Sequence, residues 1–291
     1  MPGFELWAAE ERKHLNDVIE TGIVMRYDFD GPRKGIWKAK ELEEAICQTF
    51  GCKHAQLVSS GDAGTFSFDF VKIITCAEGG AVMTNSEDVF TASDGYSDHG
   101  HDHKGVDRGA DLHPFIGYNY RISELHAAVG LAQIGKLDKF LSLQKKNHAA
   151  LKNILSTVPE ISYRRIPDPA GDSCTFLSWM LPTKEITRAV VTEMKEQGIL
   201  AGNFYWFNNN WHYIRKWDHL KNSVTLSALS PELKAAVMHH ANKDFSVSDE
   251  IMSRCVSTAI GLLWTDEQIK EKGEKMVSII KKALSEQGVT V

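Results

Sequence analysis

The stretch VSSGDAGTFSFDFVKIITCAEGG, residues 58–80, sets one lysine between two glycine-bearing turns. HAQLVSS before it reads as a short buried strand, GTFSFDF alternates and reads as a second, and GGAVMTN after it reads as a third. A lysine amine attacks a carbonyl only when unprotonated, so a chain that uses one must depress its pKa by burial or by forming a Schiff base with an aldehyde cofactor. Lys72 follows an apolar alternating run, which would lay its stem against a core. Gly61, Gly64, Gly79 and Gly80 let backbone N–H groups approach an anion, and Ser67 adds a hydroxyl donor. Spacing alone favours the plain alternative, a strand-end lysine holding its ammonium in water.

Outward from this stretch the chain reads as mixed α and β. Residues 4–21 carry Leu6, Leu15, Val18 and Ile19 at helical spacing, and residues 38–50 form a second helix stopped at Gly51. A short helix is expected over 86–93, then a polar loop to Tyr118. Residues 122–156 are mostly helix, with Leu125, Val129, Ala132, Ile134, Leu137 and Leu141 as the buried stripe. After Pro159, ISYRRIP, TFLSWMLP and GILAGNFYW read as strands around a helix at 184–197. A closing helix spans 266–285, capped by Thr265 or Asp266.

Composition narrows the function. A net charge of -5 gives no support to nucleic acid or an anionic membrane as partner. No run approaches the roughly 18 apolar residues of a spanning helix, and no export signal is read at the start. The five cysteines are scattered and odd in number, without a CxxC pair, which fits a reducing cytoplasm better than a disulfide scaffold. DHGHDHKGVDRGADLH, residues 98–113, looks like a metal site at first sight. The metallo-hydrolase pattern HxHxDH would need one more residue before its last Asp-His. The loop is read as the polar border of a sugar site, with no metal. The aromatics of NFYWFNNNWHYIRKW, residues 203–217, suit carbohydrate stacking or core packing.

SFDFVKIITCAEGG resembles the lysine motif of the pyridoxal-phosphate (PLP) sugar aminotransferases, the DegT/StrS-type family. VSSG at 58–61 resembles their phosphate-cup turn. GYNYRISELHAAVGLAQIGKLD at 117–138 resembles their Asn-x-Arg helix, and FYWFNNNWHY at 204–213 occupies the place of their substrate strand. The matches run in family order over nearly the whole chain. SDHGHDHKGVDRGA, RIPDPAGDS, FLSWMLPT and NNWHYIRKW look like the subgroup that aminates C8 of oxidised Kdo (the Kdo8N transaminases), a lipopolysaccharide sugar.

The resemblance implies an α/β fold-type I PLP-transferase. Its large domain would cover residues 1–148, with a truncated sheet, and a smaller α+β domain would cover 149–291. Lys72 matches the Schiff-base lysine, which also serves as general base and acid. Ser60, Gly61, Asp62, Ala63 and Ser67 occupy phosphate-side positions, Asp62 standing where the family usually has threonine. Asn119 matches the asparagine that reaches the cofactor of a neighbouring subunit, so a homodimer with shared sites is implied. Arg121 matches a site arginine suited to a carboxylate, which glutamate and a Kdo-type sugar both carry. His99, Tyr205 and His212 would lie near the sugar, with glutamate as the amine donor. Sugar dehydratases of the family replace the lysine with histidine, and here Lys72 is present.

The sequence departs from the family between Gly61 and Gly64, where the cup turn and the lysine strand are fused. The absent stretch would be on the order of a hundred residues, four strand–helix units at about 30 each. With it would go the aromatic that stacks on the cofactor ring and the aspartate that keeps the ring nitrogen protonated. The family's sheet order makes the three retained strands neighbours: first, last, then lysine strand. The lysine strand would be left as an exposed edge.

Overall fold

The computed structural model describes residues 2–26, 29–58 and 66–289. The chain forms two compact units, Met1–Leu143 and Gln144–Val291.

The first unit opens with helices α1 (Pro2–Glu5), α2 (Ala9–Thr21), α3 (Asp30–Arg33) and α4 (Lys38–Phe50). Gly51, in the left-handed conformation, ends α4 as its C-cap. A sheet follows, of β1 (His54–Val58), β2 (Phe66–Ser67) and β3 (Gly80–Thr84). Its order is β1-β3-β2, the order the resemblance implied, and β3 runs antiparallel to both neighbours. Helices α5 (Glu87–Ser97), α6 (Glu124–Ile134) and α7 (Leu137–Leu155) complete this half, and α7 runs on into the second unit.

Three expectations are corrected here. Among the described residues the second strand covers Phe66–Ser67 and does not run on to Phe70. Asp69 stops it: its Oδ1 accepts the Val71 amide at 2.8 Å and its carbonyl accepts the Lys72 amide at 2.9 Å, so the chain turns. Phe68 stays buried while Phe70, two residues on, is 58% exposed. The first helix is two, and α2 buries Glu11 and Val18 while Ile19 faces water. The long helix breaks at Gly135-Lys136, which resets its phase. Beyond the break the buried line is Phe140, Gln144, Asn147, Leu151 and Leu155, not Leu137 and Leu141.

Small residues on α6 let α2 and α4 approach closely. Ala127, Ala128 and Ala132 are buried, and a Cβ at Gly130 would meet Leu42 Cδ2 at 2.7 Å. The seam is also ionic. Glu11 takes Lys136 Nζ at 2.7 Å and Gln133 Nε2 at 2.6 Å. The fully buried Glu124 lies 3.5 Å from Arg33 Nη1 and accepts the Ala39 amide at 3.2 Å.

The second unit is an antiparallel sheet with helices. Its strands are β4 (Ser162–Tyr163), β5 (Phe176–Met180), β6 (Asn203–Phe204) and β7 (Cys255–Ala259), in the order β4-β5-β7-β6. The central β7 is a strand the sequence did not betray. Helices α8 (Lys184–Glu196), α9 (Asp218–Lys221), α10 (Pro231–Ala241), α11 (Ser246–Arg254) and α12 (Asp266–Glu286) join them. β5 alternates, burying Leu177 and Trp179, while α8 buries Ile186, Val190 and Met194 at helical spacing. Thr265 caps α12 in a reciprocal box with Gln268. No helix among the described residues is long and apolar enough to cross a membrane.

Candidate active site

Lys72 lies in the turn after β2, not on a strand, and is exposed. Its stem is not laid against a core, which corrects the sequence reading. The cause is the Asp69 turn, which lifts residues 69–73 out of the sheet before Thr75 and Cys76 return to Phe68 through hydrogen bonds to its carbonyl. Ser67, at the end of β2, is half-buried, and its Oγ accepts the Asp69 amide at 3.4 Å. Ser60, Gly61, Asp62 and Ala63 lie outside the described residues, and so does the seam itself.

A second cluster forms where the end of α5 meets the approach to α6. His99 N donates to Tyr118 O at 2.9 Å, Tyr118 N to Tyr96 O at 2.8 Å and Tyr120 N to Ser97 O at 2.9 Å. Asp98 and Asn119 thereby face each other in an antiparallel bridge. Two glycines make the approach possible. Gly100 has φ +85°, and a Cβ there would run into the Phe115 carbonyl; a Cβ at Gly117 would run into Gly100 N.

This bridge brings together three of the expected residues, His99, Asn119 and Arg121. Asn119 is exposed. Arg121 Nη1 reaches His99 Nδ1 at 3.0 Å and also donates to Asp98 Oδ1. Asp98 is 0% exposed and takes Arg108 as well, through Nη1 on Oδ2 and through Nη2 on Oδ1 at 2.8 Å. Burial works to raise the Asp98 pKa. The Arg108 hydrogen bond and the charges of Arg121 and Arg108 overcome that and hold the carboxyl well below the usual range. Around this pair His101 Nδ1 lies 3.2 Å from Asp111, and His103 Nε2 lies 3.6 Å from both Asp94 and Asp98. Burial pushes the His101 pKa down, with the Arg108 charge acting the same way.

Asp98, His99 and His101 each bring a possible metal-ligand atom within 4.8 Å of the others. The chemistry of the set argues for a different use, since the Asp98 carboxylate is already held by two guanidinium cations that would oppose a third. Asp98 as a hub and Arg108 as its second partner went unrecognised in the sequence. An ion pair ten residues apart has no spacing signature, and it forms here through a loop whose ends the glycine pair closes.

In the second unit the two expected sugar-side residues differ. Tyr205 is buried, and its hydroxyl donates to Ser253 O at 2.7 Å, so it packs in the core and does not present its ring to an open surface. His212 is exposed, set edge-on to Trp206 with 5.4 Å between ring centres.

Residues 41–228 match the DegT/DnrJ/EryC1/StrS aminotransferase family. The chain belongs to that family. It is 31% identical over 203 residues to a GDP-4-keto-6-deoxy-D-mannose 3-dehydratase of Yersinia pseudotuberculosis, covering 61% of this chain and 50% of that protein. It is 38% identical over 119 residues to a GDP-perosamine synthase of Escherichia coli O157:H7, covering 40% of this chain and 31% of that one. This family member thus spans half or less of the length of these curated relatives. Among solved structures it resembles the Helicobacter pylori aminotransferase PseC, with a TM-score of 0.69 and 12% identity over 95% of this chain and 97% of that one. It equally resembles an E. coli GDP-4-keto-6-deoxy-D-mannose-3-dehydratase with bound hydrated PLP, at TM-score 0.69 and 15% identity over 93% and 97%. At those identities the likeness establishes the fold, that of the fold-type I PLP enzymes.

The family's cofactor can be tested against the donor set. A primary amine such as that of Lys72 condenses with an aldehyde and a hydroxyl such as that of Ser67 donates to a phosphate, so the residue types suit the two ends of PLP. The ring-nitrogen end is different. Asp69, the nearest described acid, closes its own turn through Oδ1, and Asp62 lies outside the described residues.

Proposed function

We propose that this chain is a PLP-dependent sugar aminotransferase in which Lys72 carries the cofactor. The observation that supports this most is Lys72 itself, an accessible lysine in the turn that follows Ser67 and β2, a strand of the sheet whose β1-β3-β2 order is the one the resemblance implies. Bound PLP supplies an electron sink for the carbon that bears the amine. The chain supplies the rest. Lys72 Nζ takes and returns the proton, Ser67 holds the phosphate side, and Arg121 fixes a carboxylate of glutamate or of an acidic sugar. Asn119, exposed two residues before Arg121, would serve the cofactor of a second copy, and a homodimer with shared sites is part of that reading.

The relatives' names point to nucleotide-linked keto-deoxy sugars as acceptors. The narrower acceptor, C8 of oxidised Kdo, rests on the four sequence stretches alone. The dehydratase relative favours a second reading, water loss from a keto sugar, against which Lys72 counts. We also propose that the fusion near residues 61–64 is an internal deletion that removed the ring-nitrogen aspartate.

Borohydride reduction of the chain with stoichiometric PLP, followed by peptide mass mapping, tests the core of this. The expected result is one phosphopyridoxyl group on Lys72, absent in Lys72→Ala. Amine transfer from glutamate to GDP-4-keto-6-deoxy-D-mannose and to oxidised Kdo then separates the acceptors. Scattered labelling of surface lysines would sink the proposal and leave a remnant that needs a full-length partner.

A further inference from the structure

Arg121 is tied down by one nitrogen only. Nη1 is engaged with Asp98 and His99, while Nε and Nη2 have no partner among the described residues. The side chain is 21% exposed. The Nε–Nη2 edge carries two parallel N–H donors, the arrangement that grips a carboxylate bidentately.

An arginine paired one-to-one with a buried aspartate would be a poor anion site, because the pair is neutral. Here the aspartate is shared. Arg108 takes both Asp98 oxygens, so one carboxylate faces two guanidinium groups and the three side chains keep a net positive charge. Two further acids stand by histidines of the loop: Asp111 by His101 and His103, and Asp94 by His103, whose Nε2 it shares with Asp98. Asp98 is fully buried and bridged to the Asn119 backbone, so it is a fixed post from which Arg121 hangs.

We infer that Asp98 and Arg108 are positioning residues of a carboxylate-binding site at Arg121, Asp98 aiming its guanidinium and Arg108 keeping it charged. The inference deepens the aminotransferase reading and rests on it for the ligand's biological identity. The site's own prediction concerns carboxylate binding and needs no cofactor.

The test is calorimetric titration of the full chain with glutarate, without PLP, alongside thermal melting. The chain should bind glutarate, and Arg121→Gln should weaken binding by tenfold or more. Arg108→Gln should weaken it by about tenfold, and Arg108→Lys, which retains the charge, should recover part of that loss. Asp98→Asn is the sharpest arm. It removes a negative charge beside the site, so simple attraction would tighten binding, whereas a positioning role loosens it. Failure of the unsubstituted chain to bind, unaltered binding in a folded Arg108→Gln, or tighter binding in Asp98→Asn would each overturn the inference. Should Asp98→Asn fail to melt cooperatively, the two Arg108 variants decide it. Glutarate binding without labelling of Lys72 would remove the aminotransferase reading and leave this site standing. Labelling of Lys72 with indifferent Arg108 variants would do the reverse.

Discussion

The two units bury different things. The first hides Glu11, Arg33, Lys38, Asp98 and Glu124, each paired with opposite charge or backbone. The second hides a continuous apolar cluster around Trp179, Leu181, Met194, Met276 and Ile280, and its central polar chain is short: Trp179 Nε1 to Thr258 Oγ1 at 3.0 Å, then Thr258 Oγ1 to Asn203 Oδ1 at 2.6 Å. Apolar burial is non-directional and tolerates repacking, whereas a buried ion pair is favourable in one geometry and costly in others. The unit with the candidate chemistry is therefore the one whose side chains are fixed in direction, and the other is the one whose stability rests on volume.

Substitutions can break that contrast. The largest effect is expected at Trp179→Ala, which empties the centre of the second unit and leaves Thr258 without its donor; a loss of about 4 kcal/mol should appear in urea unfolding. Close behind is Glu11→Ala in the first unit. It takes the carboxylate from Gln133 and from Lys136, which keeps Glu10 and the Leu6 carbonyl, and about 2–3 kcal/mol should be lost. Replacing Glu11 and Lys136 together by Leu and Met should recover most of that, which a packing-only seam would not do. Gly130→Ala pushes a methyl against Leu42 and should cost about 1–2 kcal/mol, because the Leu42 side chain can give way. Smaller again, Thr265→Ala removes the α12 cap for about 1 kcal/mol.

Acid provides a last, graded comparison. His14 and His101 in the first unit and His148 in the second have pKa values pushed below the ordinary 6.5, burial being the leading cause in each. The unfolded chain then binds more protons than the native one once the pH drops below about 6.5, so stability falls from there down to each lowered folded value and is level beneath it. Melting temperatures between pH 7.5 and 5 should decline, and His148→Gln should flatten the decline by its share. A flat profile in the unsubstituted chain would mean these rings are not held neutral.

The pattern-driven parts of the fold were legible. α8, α12 and β1 follow from periodicity, Gly51 and Thr265 mark ends by their chemistry, and the β1-β3-β2 order follows from the family motif. What escaped was decided by single polar groups acting against a pattern. Asp69 ended a strand that Phe66, Phe68 and Phe70 advertised. Lys136, drawn to Glu11 from a distant helix, marks the break in the hydrophobic stripe between α6 and α7. At the candidate site, His99, Asn119 and Arg121 were legible through resemblance and the structure brings them together. Asp98 and Arg108 were legible only as members of a charged loop, because burial and ion pairing across ten residues leave no mark in composition.

The glycine pair has a consequence for the path of the chain. Gly100 and Gly117 clamp the two ends of the histidine loop to each other, and the posts that carry Asp98, Asn119 and Arg121 stand just outside the clamp, apart from Arg108, which reaches back from within. Residues 101–116 thus leave and return at one point, and from within that excursion Arg108 reaches back to Asp98 while His101 and Phe115 rest against Gly95.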